Sequence, residues 1–253
     1  MQPLQPDTSY HIFNPANGFE NVFRKEENFY FFPEKYRLYI SPIAETYEYC
    51  LIPNHFHLVV RIRKRVVIEE LIRNKNKNNP SKSNNFSNSN NFSKVPNLEQ
   101  SVSITQNESD QTKSVNFGKV EGNKISNGEI EKYLSKQFAN LFSSYTQSFN
   151  KVYHRMGSLF IKNFKREPIH DKTHFMNVIV YTHRNPVHHG FCTKYEDWEY
   201  SSYNEIINGV CDQIELKKLI KMTNGIESFK EMHRNAYGNF TPINEIEMPP
   251  LDD

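Results

Sequence analysis

From about Asn74 to Asn127 the chain reads NKNKNNPSKSNNFSNSNNFSKVPNLEQ and onward, so rich in Asn, Ser and Lys that burial cannot offset the entropy of ordering it. Both flanks are strongly patterned, yet neither carries a complete core by itself. The fold is therefore expected to be one unit assembled from two halves around a disordered insertion, with two domains on a tether as the alternative. The halves span residues 1–73 and 128–207, the insertion 74–127, and a C-terminal extension with short helices 208–253.

Within the first half, YHIFN at Tyr10 to Asn14 reads as a strand. A helix is expected from about Glu26 to Ile40, where Phe32, Tyr36, Tyr39 and Ile40 fall near one face, and Pro33 should kink or delay it. Thr46 to Ile52 and His55 to Arg63 read as two strands around a Pro53-Asn54 turn. In the second half, Leu134, Phe138, Leu141, Phe142, Tyr145 and Phe149 recur at helical spacing, which predicts a long amphipathic helix from about Glu129 to His154. A short strand, Leu159 to Lys165, should follow Gly157. Asp171 is a credible N-cap for a helix to about Arg184, which Pro186 should stop. Leu216 to Met222 and Ile226 to His233 read as short helices, and the last ten residues as a tail. This order of elements predicts an α+β fold, an antiparallel sheet with helices packed on one face.

The segment PNHFHLVVRIR alternates with period two. His55, His57, Val59 and Arg61 share one face, and Phe56, Leu58, Val60 and Ile62 the other. Two imidazoles projecting the same way from a rigid strand can grip one divalent cation; a pair of exposed strand histidines is the plainer alternative. A histidine-triad nucleotide hydrolase would need a third histidine where this chain has Val59. On DKTHFMNVIVYTHRNP, Phe175, Val178, Ile179 and Thr182 form an inward helical stripe, while Asn177, Tyr181 and Asn185 adjoin it four residues apart. The Tyr181 hydroxyl and the Asn185 amide thus point toward one region, as a nucleophile and a third ligand would. A half-buried core tyrosine and a helix-ending asparagine are the alternatives.

The segments YHIFN, VFRKEENFYFF, YCLIPNHFHLVV, GSLFIKNFKR, YTHRNPVHHGF and WEYSSY, in this order, resemble the REP-associated tyrosine transposases, relatives of insertion-sequence transposases with a His-hydrophobic-His (HUH) motif. The resemblance covers about residues 10–72 and 130–205; Ile52 stands where the family usually has Met, and the long insertion is unusual. It implies a ferredoxin-like, RRM-like HUH nuclease core. It also implies Tyr181 as nucleophile, Mg²⁺ or Mn²⁺ held by His55, His57 and Asn185, and cleavage and rejoining of single-stranded, hairpin-forming DNA through a 5′-phosphotyrosine. A domesticated hairpin-binding protein without activity is the alternative. An RNA-binding module on a similar sheet would need an aromatic and glycine signature that HFHLVVRIR lacks. His183 is assigned no role.

A net charge of +2 leaves attraction for phosphate to local clusters: Arg61, Arg63, Lys64 and Arg65 after the histidine strand, and Lys162, Lys165 and Arg166 later, with Phe160 and Phe164 as stacking candidates. A solvated edge and core rings are the plainer readings of these groups. The three cysteines, Cys50, Cys192 and Cys211, give neither a disulfide framework nor a paired zinc spacing, which fits a reducing cytoplasm; the resemblance to DNA transposases implies association with the nucleoid there. There is no signal-like N-terminus and no long apolar run, so no membrane partner is expected. A homodimer stays open.

Overall fold

The computed structural model describes residues 2–18, 20–78, 124–210 and 215–235. Four strands, β1 (Ser9–Pro15), β2 (Ala44–Ile52), β3 (His55–Ile62) and β4 (Lys165–Pro168), form an antiparallel sheet in the order β2-β3-β1-β4. Three strands precede the Asn/Ser-rich stretch and β4 follows it, so the two halves complete one sheet. The fold is α+β, as the alternation of elements predicts. Expected strand Leu159 to Lys165 is corrected: Phe160 makes only an isolated bridge to Ala16, and the regular strand begins at Lys165. The ladder groups of β1 attract the segment twice, with Asn163 at positive φ between the two contacts.

Helices α1 (Glu26–Tyr39) and α3 (Asn127–Val152) pack together on one face of the sheet. Their apolar stripes, Phe32 and Tyr36 on α1 and Leu134, Phe138, Leu141 and Tyr145 on α3, meet Ile12, Phe56, Leu58, Val60 and Ile62 from the strands. Most of the molecule's aromatic wealth goes here. Phe160 and Phe164 belong to this core and are 4% and 7% exposed, so these rings are closed to base stacking. Pro33 sits inside a continuous α1; only one backbone donor is lost there, and buried Phe29, Phe32 and Tyr36 hold the helix on both sides of it.

The expectation of helices on one face only is corrected: apolar Tyr47 and Val59 give the sheet a second core face, which is covered by α4 (Lys172–His188), α5 (Tyr203–Asn208), α6 (Leu216–Met222) and α7 (Ile226–Asn235). Val59, Tyr47, Phe175, Val178, Ile179, Ile206, Leu219 and Phe229 form this second core. The C-terminal extension is thus integral to the side that bears the histidines. Helix α4 does not stop at Arg184: it runs through Pro186, whose missing N–H falls in the last turn, where one lost hydrogen bond is tolerated. An unanticipated helix, α2 (Arg65–Asn78), takes in Asn74 to Asn78, the start of the proposed insertion. The rest of the proposed disordered segment, from residue 79 to residue 123, lies outside the described residues, as do Cys211 and the C-terminal tail.

Candidate nuclease site

Antiparallel pairing places neighbours side by side on the same face. Cys50, His57, Phe13 and Lys165 form one row across the sheet, and Glu48, Val59, His11 and Glu167 the next. His55 and His57 therefore share the face toward α4, as the alternation predicts. Because α4 continues past Pro186, Asn185 stays in helical register one turn after Tyr181, and His189 follows one turn later as the C-cap.

The four expected site residues come together. The His55 Nε2 lies 3.2 Å from the Asn185 Oδ1. The His57 ring lies beside that of His55, centroids 4.8 Å apart. Tyr181 meets His57 edge-on, ring centroids 5.9 Å apart at 88°. All are buried: His57 and Asn185 completely, with His55 at 5% and Tyr181 at 7% exposure.

Burial sets the protonation of the imidazoles. Desolvation, then the neighbouring His189, pushes His55 down to about 3, and His57 falls well below its ordinary value by burial and by the nearby His55. Both are neutral, so each carries one ring hydrogen. The His55 Nδ1–H donates to the Asn54 Oδ1 at 2.8 Å, because an amide oxygen can only accept. The His55 Nε2 then presents a lone pair to another acceptor, the Asn185 Oδ1. The His55 Nε2 and the Asn185 side-chain oxygen thus lie 3.2 Å apart, two donor atoms close enough to share one cation. That donor set, two imidazole nitrogens and an amide oxygen, fits a divalent ion. Among the described residues no three His, Cys, Asp or Glu side chains form a metal cluster, so an ion here depends on Asn185.

Two neighbours escaped the sequence reading. His11 on β1, 1% exposed, contacts His57, and His189 lies 5.0 Å from His55 between ring centroids. The four-residue stripe of Tyr181 and Asn185, extended one turn, would have found His189; the alternation of β1 would have faced His11 toward α4 only once its pairing with β3 was known. His183 lies in a separate buried cluster, its Nδ1 2.9 Å from the His233 Nε2 and its Nε2 3.0 Å from the Ser202 Oγ. The W-x-x-S-S-Y segment docks along the β2 edge: the Trp198 Nε1–H donates to the Leu51 carbonyl and the Ser202 N–H to that of Tyr49.

The cationic candidates divide. Arg61 pairs with Asp7 at 2.9 Å, Arg63 donates to the Ser41 carbonyl, and Arg65 holds Glu69, Asn127 and the Ile125 carbonyl. Six residues of extended chain, about 20 Å, separate Arg61 from His55. Arg65 is thus structural, tying α2 to the start of α3, while Lys64 is exposed. Lys162 is exposed beside the Ala16–Phe160 bridge, near the His55 end of the sheet, and Lys165 shares the row and face of His57. The Arg166 Nε–H donates to the Gln2 carbonyl at 2.6 Å, on the opposite face.

No protein-family model matches the chain, and no curated protein matches it. Among solved structures it is similar to one described as the structure of the REP-associated tyrosine transposase bound to a REP hairpin, with 10% identity and a TM-score of 0.48, over 83% of this chain and 86% of that one. No helix among the described residues is long and apolar enough to cross a membrane.

Proposed function

We propose that this protein is a single-tyrosine DNA transposase that cuts and rejoins single-stranded, hairpin-forming DNA, with Tyr181 as nucleophile. The observation that carries the reading is the convergence of His55, His57, Asn185 and Tyr181, all buried, with the His55 Nε2 3.2 Å from the Asn185 Oδ1 and Tyr181 edge-on to His57. A bound Mg²⁺ or Mn²⁺ would supply Lewis-acid charge neutralisation at a phosphate oxygen, and His55, His57 and Asn185 would hold it.

The chain's own residues orient and exclude water. Packing of Tyr181 against His57 and His11 fixes the phenol's ring, so its oxygen is aligned before substrate arrives. The Tyr181 Oη attacks phosphorus; the new P–O bond joins tyrosine to the 5′ end as the P–O3′ bond breaks, the phenol proton is lost, and the departing 3′ oxygen leaves as a hydroxyl after gaining a proton. Attack by a different 3′ hydroxyl reverses the step and joins new strands without ATP. Lys165 on the site face and Lys162 near it would meet the single strand, and Lys64, Arg61 and Arg63 more distant phosphates. A groove of about 1020 Å³ between α3 and residues 157–166, on the sheet face away from the histidines, carries Lys162 and Arg166 on its wall.

The test incubates the full chain with a library of hairpin-bearing single-stranded oligonucleotides and Mn²⁺, and reads a denaturing gel. Wild type should form a covalent protein–DNA band that Tyr181→Phe abolishes, with DNA retention on a native gel unchanged, since only a hydroxyl is removed. Cutting by Tyr181→Phe at the wild-type rate would sink the mechanism. Hairpin binding by wild type with neither cutting nor adduct would favour the inactive binder.

A further inference from the structure

We infer that His11 is a positioning residue that sets the tautomer and ring orientation of His57, acting as the hydrogen-bond acceptor behind a cation-binding imidazole. The inference rests on the proposed cation site and adds a residue to it from a different strand.

The His11 Nε2 lies 2.9 Å from the His57 Nδ1. The ring planes differ by only 15° with centroids 5.1 Å apart, so the two imidazoles lie nearly coplanar and meet edge to edge, as a straight N–H···N bond requires. Neither ring can drift. Phe13 stacks against both, at 4.9 Å from His11 and 5.7 Å from His57, and Tyr181 closes edge-on over both. The cause is register: Phe13 pairs with His57 and His11 with Val59, so His11 and His57 are diagonal neighbours on one sheet face.

One hydrogen is shared between the facing nitrogens, and its owner decides what His57 can do. If the His57 Nδ1–H donates to the His11 Nε2, the His57 Nε2 keeps a lone pair for a cation. If instead the His11 Nε2–H donates, the single hydrogen of neutral His57 sits on Nε2 and blocks ligation. Asn54 plays the corresponding part for His55, but its oxygen can only accept. His11 is therefore the adjustable half of the support, and cation binding selects the arrangement in which it accepts. In that arrangement the His11 hydrogen sits on Nδ1, which has no hydrogen-bond partner among the described residues.

Mn²⁺ is titrated into the full chain without DNA, free Mn²⁺ being read by electron paramagnetic resonance, beside the melting temperature of the metal-free protein. His11→Phe keeps a ring and loses the acceptor; affinity should fall about 10- to 100-fold with the melting temperature little changed. His11→Gln, whose amide oxygen reaches as far as the Nε2 and can only accept, should restore affinity to within about three-fold of wild type. In wild type saturated with Mg²⁺, long-range ¹H–¹⁵N correlation should show His57 protonated on Nδ1. Wild-type affinity in His11→Phe, or a proton on the His57 Nε2 in the Mg²⁺ form, overturns the inference, and the second readout stands even where the variant fails to fold. If wild type shows no saturable Mn²⁺ binding that His55→Ala weakens, the cation site itself is wrong and this inference falls with it.

Discussion

Glu48 shows what a single buried residue costs and reveals. It is wholly buried on β2, where the break in register between Thr46 and Glu48 accommodates the extra residue Tyr47. Its Oε1 lies 3.5 Å from the His183 Nε2, yet burial pushes the carboxyl well up and the imidazole well down, so the pair is neutral rather than an ion pair. The sign follows. The folded chain keeps a proton on Glu48 that the unfolded chain releases above its ordinary 4.5, so this residue's contribution falls as pH rises from there through the raised value. The buried imidazoles of His11, His55, His57, His183 and His233 work the other way: the unfolded chain protonates them below about 6.5 while the folded one resists, so stability drops as pH falls. Metal-free protein should be most stable near neutrality. Glu48→Gln removes the titration and keeps the shape; its melting temperature relative to wild type should be higher at pH 8 than at pH 6, by a margin equivalent to at most about 1.4 kcal/mol per pH unit. An equal difference at both pH values would mean that Glu48 is ionised in the folded state.

Among the elements, the sharpest boundary is the start of α3. The Ser126 side chain accepts from the Glu129 N–H, and the Glu129 carboxylate in turn accepts from the Ser126 N–H at 2.9 Å, so two orphan donors are satisfied reciprocally. Ser126→Ala should cost about 1 kcal/mol in urea denaturation, with faster amide exchange confined to the first turn of α3; no change in either would show that packing alone fixes the boundary. The amphipathic stripe of α3 was plain in the sequence because six apolar residues recur at one period, and so was the shared face of His55 and His57. Less was legible where two forces compete locally. Pro186 reads as a stop because it removes a donor, but His183, Thr182 and Asn185 are wholly buried around it and hold the last turn in place. That override matters chemically, since it keeps Asn185 and His189 in line with Tyr181. β4 was displaced because a four-residue strand has almost no period to read, and His11 was missed because its importance comes from pairing across strands.

At the scale of the whole molecule, contacts among the described residues tie the two halves together. Arg65 at the start of α2 donates to the Asn127 Oδ1 and the Ile125 carbonyl, and β4 pairs with β1 across more than one hundred and forty residues of sequence. The proposed site draws on both halves, His11, His55 and His57 from one and Tyr181 and Asn185 from the other, so the proposed cutting would report directly on whether they remain assembled. Replacing residues 81–121 by a flexible Gly/Ser linker of about ten residues, able to span about 18 Å as a relaxed coil, should therefore leave the fold intact. Closing a shorter loop costs less entropy, and the logarithmic dependence limits the gain to about 1 kcal/mol. The melting temperature should stay level or rise slightly, and the hairpin-cutting rate should stay within about two-fold of wild type. A shortened chain that melts as wild type but no longer cuts would place a DNA-contacting role in the Asn- and Lys-rich stretch. A chain that fails to fold would instead show that the linker cannot bridge α2 to α3, which a longer Gly/Ser replacement would relieve if the segment is only a connection.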